Sequence, residues 1–287
     1  MTKWRATLFL ASDYSSACTG ATLDANGAPS FPEIETSTMA IADYPDDPRF
    51  LDRDDGARLA YRHRTGSGPT FVFLPGYMSD MEGSKALAID AWAEREGKAM
   101  LRLDYSGCGA SDGRFEDGTL EIWRDDVLHL LNTVVAGPVV LIGSSMGGWL
   151  MLLVAKAISH RIAGLAGIAA APDFTDWGFS DAEKATLLTE GRLYQRSDYY
   201  EEPSVTTLSF WRSGENNRVL DDRIALDCPV RLLQGQCDEV VPWKVALRLG
   251  EALTTADLRI LLIKDGDHRL SRESDIALLL TVLAEIA

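Results

Sequence analysis

Val139-Val-Leu-Ile-Gly-Ser-Ser-Met-Gly-Gly-Trp-Leu150 is the stretch that decides the fold. Its first four residues are an apolar run of the kind that forms a strand buried on both faces. From Gly147 to Ser159 the apolar residues recur at helical spacing. Between strand and helix lies Gly143-Ser144-Ser145-Met146-Gly147, a G-x-S-x-G nucleophile elbow in the strand-turn-helix context that the motif requires. A turn this tight strains the backbone of its central residue and leaves no space for flanking side chains, which accounts for the two glycines. Ser145 then stands above the sheet with a helix N-terminus behind it, where developing negative charge is favoured. Ser144 is the competing hydroxyl, but it occupies the wrong position in the pentapeptide, where Ser145 is the central residue.

Outward from the elbow, short apolar runs alternate with amphipathic segments of helical length. Strands are expected at Ala57–Tyr61, Thr70–Leu74, Ala99–Leu103, Pro138–Ile142, Ile162–Ala169, Val230–Leu233 and Leu258–Ile263, with Gly66-Ser-Gly68 as a turn between the first two. Helices are expected at Lys85–Glu96, Thr119–Val135, Gly147–Ser159, Trp243–Ala252 and Ser271–Ile286. This β-α alternation predicts an α/β fold, a mainly parallel twisted sheet with helices on both faces. Residues 173 to 226 break the pattern. They carry no strong strand and eight exposed-looking aromatics: Phe174, Trp177, Phe179, Tyr194, Tyr199, Tyr200, Phe210 and Trp211. An insertion of that length between core strands reads as a helical cap or binding region, with Trp177 and Trp211 as candidate substrate contacts. The plainer reading is a helical excursion that only covers the sheet.

The 287 residues have an ordinary globular composition, 46% hydrophobic and 25% charged. A net charge of −15 argues against nucleic acid and anionic membrane as partners, and no apolar run reaches the length of a membrane span. Cys18, Cys108, Cys228 and Cys237 have no CxxC spacing and read as free thiols in a reducing compartment. No H-E-x-x-H or Cys/His cluster is present, so neither a metal nor another cofactor is expected. Residues 1–48 read as a weakly ordered extension and 49–287 as the folded domain. Met1–Ala11 has a faint signal-peptide look without a convincing cleavage site, and initiation near Met39 is an equal alternative.

A serine nucleophile needs a base, and the chain has four histidines. His63 falls in an early strand, His129 inside a helix and His160 at a helix end. Only His268, in Lys264-Asp-Gly-Asp-His268, follows the last strand. With this elbow the partners follow in the order Ser, Asp, His, which selects His268 as base and Asp238, after the strand at Val230, as the acid that orients it. Glu239, Asp265 and Asp267 are neighbouring acids left open. The substrate oxyanion needs two N–H donors: the amide of Met146 and, from the loop Pro75-Gly76-Tyr77, the amide of Tyr77, which could instead serve as an aromatic wall. Asp104-Tyr-Ser-Gly-Cys-Gly-Ala-Ser-Asp-Gly113 has the wrong spacing for a phosphate-binding loop and reads as a structural loop beside the site.

Together these residues resemble the α/β-hydrolase superfamily over residues 50 to 287. A narrower likeness is carried by Leu74-Pro-Gly-Tyr-Met-Ser-Asp-Met-Glu-Gly-Ser-Lys-Ala-Leu87, Asp104-Tyr-Ser-Gly, Gly143-Ser-Ser-Met-Gly-Gly-Trp-Leu-Met-Leu152, Val240-Val-Pro-Trp243 and Gly266-Asp-His-Arg269. It is similar to the mitochondrial palmitoyl-protein thioesterase group, which is also described as hydrolysing acyl glucuronides, including that of mycophenolic acid. The resemblance implies a serine hydrolase with a triad on Ser145, Asp238 and His268, acting on an acylated small molecule or an S-acylated protein. The second substrate expectation is an acyl glucuronide or small xenobiotic ester, whose carboxylate would need a cation such as Arg192, Arg196 or Arg212. A non-catalytic binding protein is the third reading, opposed by the complete Ser, Asp and His set. The N-terminus is not an Arg-rich presequence and the pI is near 4.7, so a bacterial cytoplasmic relative is expected, with the mitochondrial matrix as the alternative.

Overall fold

The computed structural model describes residues 22–23, 29–30, 47–196 and 203–286. The chain divides into two units, 1–44 and 45–287. In the first unit β1 (Thr22–Leu23) pairs antiparallel with β2 (Pro29–Ser30). The signal-like start, Cys18 and Met39 lie outside the described residues.

The second unit is built on one eight-stranded sheet. Its strands are β3 (Arg49–Asp52), β4 (Arg58–Arg64), β5 (Ser67–Leu74), β6 (Lys98–Leu103), β7 (Val139–Ser144), β8 (Ile162–Ile168), β11 (Val230–Gly235) and β12 (Leu258–Ile263), in the order β12-β11-β8-β7-β5-β6-β4-β3. From β12 to β6 every neighbour is parallel, and β4 and β3 add an antiparallel edge. Alternation along each strand sorts the core into two layers. Phe71 and Phe73 pack with α1 (Ser84–Arg95) and α8 (Glu273–Ile286) on one face. Val72 and Leu74 face α2 (Leu120–Val134), α3 (Met146–Ala157) and α7 (Lys244–Ala252) on the other. Helix α3 is buried from Met146 to Ala155, so the residue that precedes it has little freedom to move. Among the described residues no helix is long and apolar enough to cross a membrane.

Three features differ from the sequence reading. Strand β3 was not anticipated, because four residues with one half-buried position give no alternation to read. Strand β5 begins at Ser67, inside the expected Gly66-Ser-Gly68 turn, and a register shift between Ser67 and Phe71 absorbs the irregularity. The insertion is not strandless. Besides α4 (Phe174–Trp177), α5 (Asp181–Glu190) and α6 (Leu208–Asn216) it holds an antiparallel pair, β9 (Arg192–Gln195) and β10 (Ser204–Thr207), with Tyr194 opposite Val205. Nor are its aromatics uniformly exposed: Phe179 and Phe210 are buried and Tyr194 is 64% exposed. Burial follows from ring packing, since Phe210 lies 5.6 Å from Trp123 and 5.8 Å from Phe174, and Phe174 lies 5.7 Å from Trp149. Tyr199 and Tyr200 fall outside the described residues.

Candidate active site

Ser145 sits between β7 and α3 at φ +54°, ψ −120°, a conformation that side-chain-bearing residues rarely adopt. Both flanking glycines are required by backbone contact. A Cβ on Gly143 would stand 2.4 Å from the Gly147 carbonyl oxygen, and one on Gly147 would stand 2.1 Å from that of Leu74. The strain costs on the order of 1–3 kcal/mol. It is held by three backbone hydrogen bonds: Ser145 N–H donates to Ile168 (2.9 Å), and its carbonyl accepts from Gly148 (2.9 Å) and Ala171 (3.0 Å).

The ends of β11 and β12 bring two more residues to the same spot. His268 Nε2 lies 3.1 Å from Ser145 Oγ, and His268 Nδ1 lies 2.9 Å from Asp238 Oδ2. The Asp238 side chain is fully buried and that of His268 is 15% exposed. Asp238 Oδ1 accepts from the amides of Val240 (2.9 Å) and Val241 (2.8 Å), and Oδ2 from Gln234 Nε2 (2.9 Å). Burial pushes this carboxyl up, but the hydrogen bond and charge of His268 and the two amides outweigh it and hold it below the usual carboxylate range. Four acceptor contacts on one buried carboxylate fix its plane, and so fix the ring it orients. Glu239 is exposed, Asp265 pairs with Arg272, and Asp267 accepts from Leu270 N–H, so none of them replaces Asp238. His129 Nε2 lies 2.9 Å from the Asp52 carbonyl oxygen, while His63 and His160 stay on β4 and at the 159–161 turn.

Met146 is the first residue of α3, so its N–H is among those with no acceptor inside the helix. The other side of the elbow is the turn 76–79, closed by Ser79 N–H on the Gly76 carbonyl (3.1 Å) with Met78 at φ +56°. A Cβ on Gly76 would lie 3.4 Å from Ser145 Cβ, so the turn passes directly against Ser145. Tyr77 is also a wall. Its ring lies 4.9 Å from those of Phe115 and Phe210, and its Oη donates to the Val205 carbonyl in β10 (2.7 Å).

These residues open on a cavity of about 610 Å³, within the range of small-molecule sites. Ser145, Met146, His268 and Tyr77 line it, and the insertion contributes Phe174, Trp177 and Phe179. Trp177 lies in the cavity wall, with its indole N–H on the Pro172 carbonyl (2.9 Å). Trp211 is not among the lining residues. Its indole N–H is spent on the Thr175 carbonyl (3.1 Å), which turns the ring to brace α4. The arginines Arg192, Arg196 and Arg212 are exposed and absent from the wall, whereas Lys85 and Arg269 line it. Lys85 Nζ donates to the Arg269 carbonyl (2.5 Å), and burial pushes its pKa down against the opposing pull of Asp267. Sequence signals for this pair existed: Arg269 adjoins His268, and Lys85 opens a helix just after the Tyr77 loop.

Taken together, the sheet order and the elbow define an α/β hydrolase. The sequence pattern of the alpha/beta hydrolase family matches residues 71–278, and the chain belongs to that family. It is a hydrolase that resembles thioesterases and esterases. The human protein named palmitoyl-protein thioesterase ABHD10, mitochondrial, is 38% identical over 241 residues, covering 83% of this chain and 79% of its own length. Two solved structures are similar at 36% identity. A protein of Agrobacterium vitis S4 has a TM-score of 0.79 over 84% of this chain and 99% of its own, and mouse alpha/beta hydrolase domain-containing protein 10 has 0.78 over 84% and 98%.

Proposed function

We propose that this chain is a serine hydrolase that cleaves acyl thioesters or carboxylic esters through an acyl-Ser145 intermediate. The observation that carries the reading is the hydrogen-bonded chain Asp238–His268–Ser145 on the wall of a cavity lined by aromatic side chains. His268 Nε2 takes the Ser145 proton as Oγ attacks the substrate carbonyl carbon, and the carbonyl oxygen becomes an oxyanion. The amides of Met146 and Tyr77 stabilise that charge. Collapse breaks the bond to sulfur or oxygen, and the leaving group departs with the proton held on His268. His268 then deprotonates a water that attacks the acyl carbon, releasing the acid and free Ser145. Asp238 keeps the Nδ1 proton in place and stabilises the imidazolium throughout.

The acyl group fits the aromatic side of the cavity under residues 173–226, the region that acts as a cap. The name of the human relative favours S-acylated proteins or related thioesters as substrates, and a mitochondrial location over a cytoplasmic one. A fluorophosphonate probe should label the protein, Ser145→Ala should abolish the labelling, and Ser144→Ala should keep it. The opposite pattern rejects the assignment.

An acyl glucuronide is the second substrate reading, favoured by Lys85 and Arg269, which line the cavity where the cap arginines do not. Measuring kcat/KM for an acyl glucuronide against the methyl ester of the same acid separates the two. Preference for the methyl ester rejects the glucuronide.

A further inference from the structure

The loop Asp104–Gly113 takes no part in the acyl-transfer scheme, yet its first two side chains reach back to the turn that carries Tyr77. Tyr105 is fully buried, and its Oη donates to the Pro75 carbonyl at 3.1 Å. Asp104 Oδ1 accepts from the Met81 amide at 2.7 Å, and Oδ2 from the Ala110 amide at 2.9 Å. Arg102, also buried, donates from Nη1 to the Met81 carbonyl at 2.7 Å. The C-terminal end of β6 therefore grips segment 75–81 at both ends, with Tyr77 between. The grip at Pro75 falls where that segment meets the elbow, because a Cβ on Gly147 would stand 2.5 Å from the Pro75 carbonyl oxygen. Asp104 is itself immobilised. A Cβ on Gly109 would lie 2.1 Å from its Oδ2, so only glycine there lets the Ala110 amide approach, and Ser111 Oγ donates to the Asp104 carbonyl at 2.8 Å.

We propose that Tyr105 and Asp104 are positioning residues of the hydrolysis: they fix the turn 76–79 so that the Tyr77 amide meets the oxyanion as it forms. The proposal rests on the reading of Ser145 as nucleophile. An oxyanion donor acts only within a narrow range of distance, and nothing in the turn's own hydrogen bond sets its distance from the elbow. That distance is set from β6, by two residues that touch neither substrate nor triad.

Tyr105→Phe removes one oxygen and leaves the ring in its stack on Trp123, at 5.7 Å. Its kcat is expected to fall about tenfold, a fraction of the 10²–10³ lost when such a donor is removed outright, with KM changed by less than about twofold. The affinity for a trifluoromethyl ketone analogue, whose adduct with the serine carries the oxyanion, should fall in proportion to kcat/KM. Asp104→Asn cannot accept from both amides and should lose more in the same two measurements. If Asp104→Asn does not fold, Tyr105→Phe decides alone. A purely structural role would lower Tm while leaving kcat and ketone affinity untouched, and that outcome overturns the proposal, as does a fall in kcat without a fall in ketone affinity. A native protein inert to both fluorophosphonate and ketone overturns the nucleophile reading and this inference together. A native protein that reacts, beside an unaltered Tyr105→Phe, overturns the inference only.

Discussion

The Ser145 elbow and the cap over residues 173–226 line one cavity, but different forces hold them. At the elbow, backbone meets backbone: glycines pack where any Cβ would collide with a carbonyl oxygen, and three hydrogen bonds fix a strained serine. The cap is held by rings and by long-range side-chain bonds. Phe174 and Phe210 pack against Tyr77, Trp123 and Trp149, Ser213 Oγ accepts from Leu120 N–H (2.9 Å), and Asp173 accepts from Val219 (2.9 Å) and Leu220 (2.8 Å) amides. The difference teaches that Ser145 is placed by parts that cannot adjust, and the opposite cavity wall is built of parts that can be exchanged one ring at a time.

The largest expected break is at the rigid side. Ser145→Ala should lose about four orders of magnitude or more in turnover, measured against Ser144→Ala as the control. Asp238→Asn follows, with a loss of about 10³–10⁴ in kcat at unchanged fold, because the amide no longer holds the Nδ1–H tautomer. If that variant loses only a fewfold, the contact at 2.9 Å is not the one that orients the ring. On the cap the scale drops. Burial of one methylene contributes roughly 0.8 kcal/mol, so kcat/KM for thioesters should rise severalfold per added methylene until the cavity is full. Trp177→Ala should flatten that profile. Trp211→Phe loses its bond to Thr175 and part of its ring packing, so it should cost about 1–3 kcal/mol of stability and leave the profile intact. A profile changed by Trp211→Phe and not by Trp177→Ala would invert the assignment of the two tryptophans.

The smallest effect is electrostatic. The Asp238 carboxyl is depressed in the folded state, so it stabilises the protein above the unfolded value and that contribution disappears as pH falls through the folded one. Asp238→Asn should therefore lose less Tm than the native chain between about pH 6 and about pH 3. Burial raises Asp104, Asp126 and Asp173 in both proteins alike, so these groups cancel in the difference. An equal loss of Tm in the two proteins would show that Asp238 is not depressed.

The same contrast explains what the sequence disclosed. The elbow was legible because its geometry needs fixed residue types at fixed spacing, and Asp238 and His268 because they end strands whose apolar runs are plain. The cap was legible as an interruption and little more. Four-residue strands such as Arg192–Gln195 and Ser204–Thr207 carry too few alternations to read, although Ser180 and Glu183 spell out the capping box that opens α5. Which tryptophan faces the cavity is decided by where its indole N–H finds a carbonyl, Pro172 for Trp177 and Thr175 for Trp211. Neither partner announces itself in the sequence. The contacts of Lys85 and Tyr105 were hidden for a similar reason, since they cross 184 and 30 residues of chain.

The parts of the site also differ in when they are made. The elbow and the Tyr77 turn belong to β5 and β7, whereas the acid and base arrive on β11 and β12, with His268 separated from Ser145 by 123 residues. During synthesis the earlier segments emerge first. A ribosome-bound chain that has passed β8 and Ala171 can hold the strained serine, but His268 has yet to be made. On the proposed mechanism, hydrolysis has to wait for one late step, the docking of the β11–β12 edge against β8.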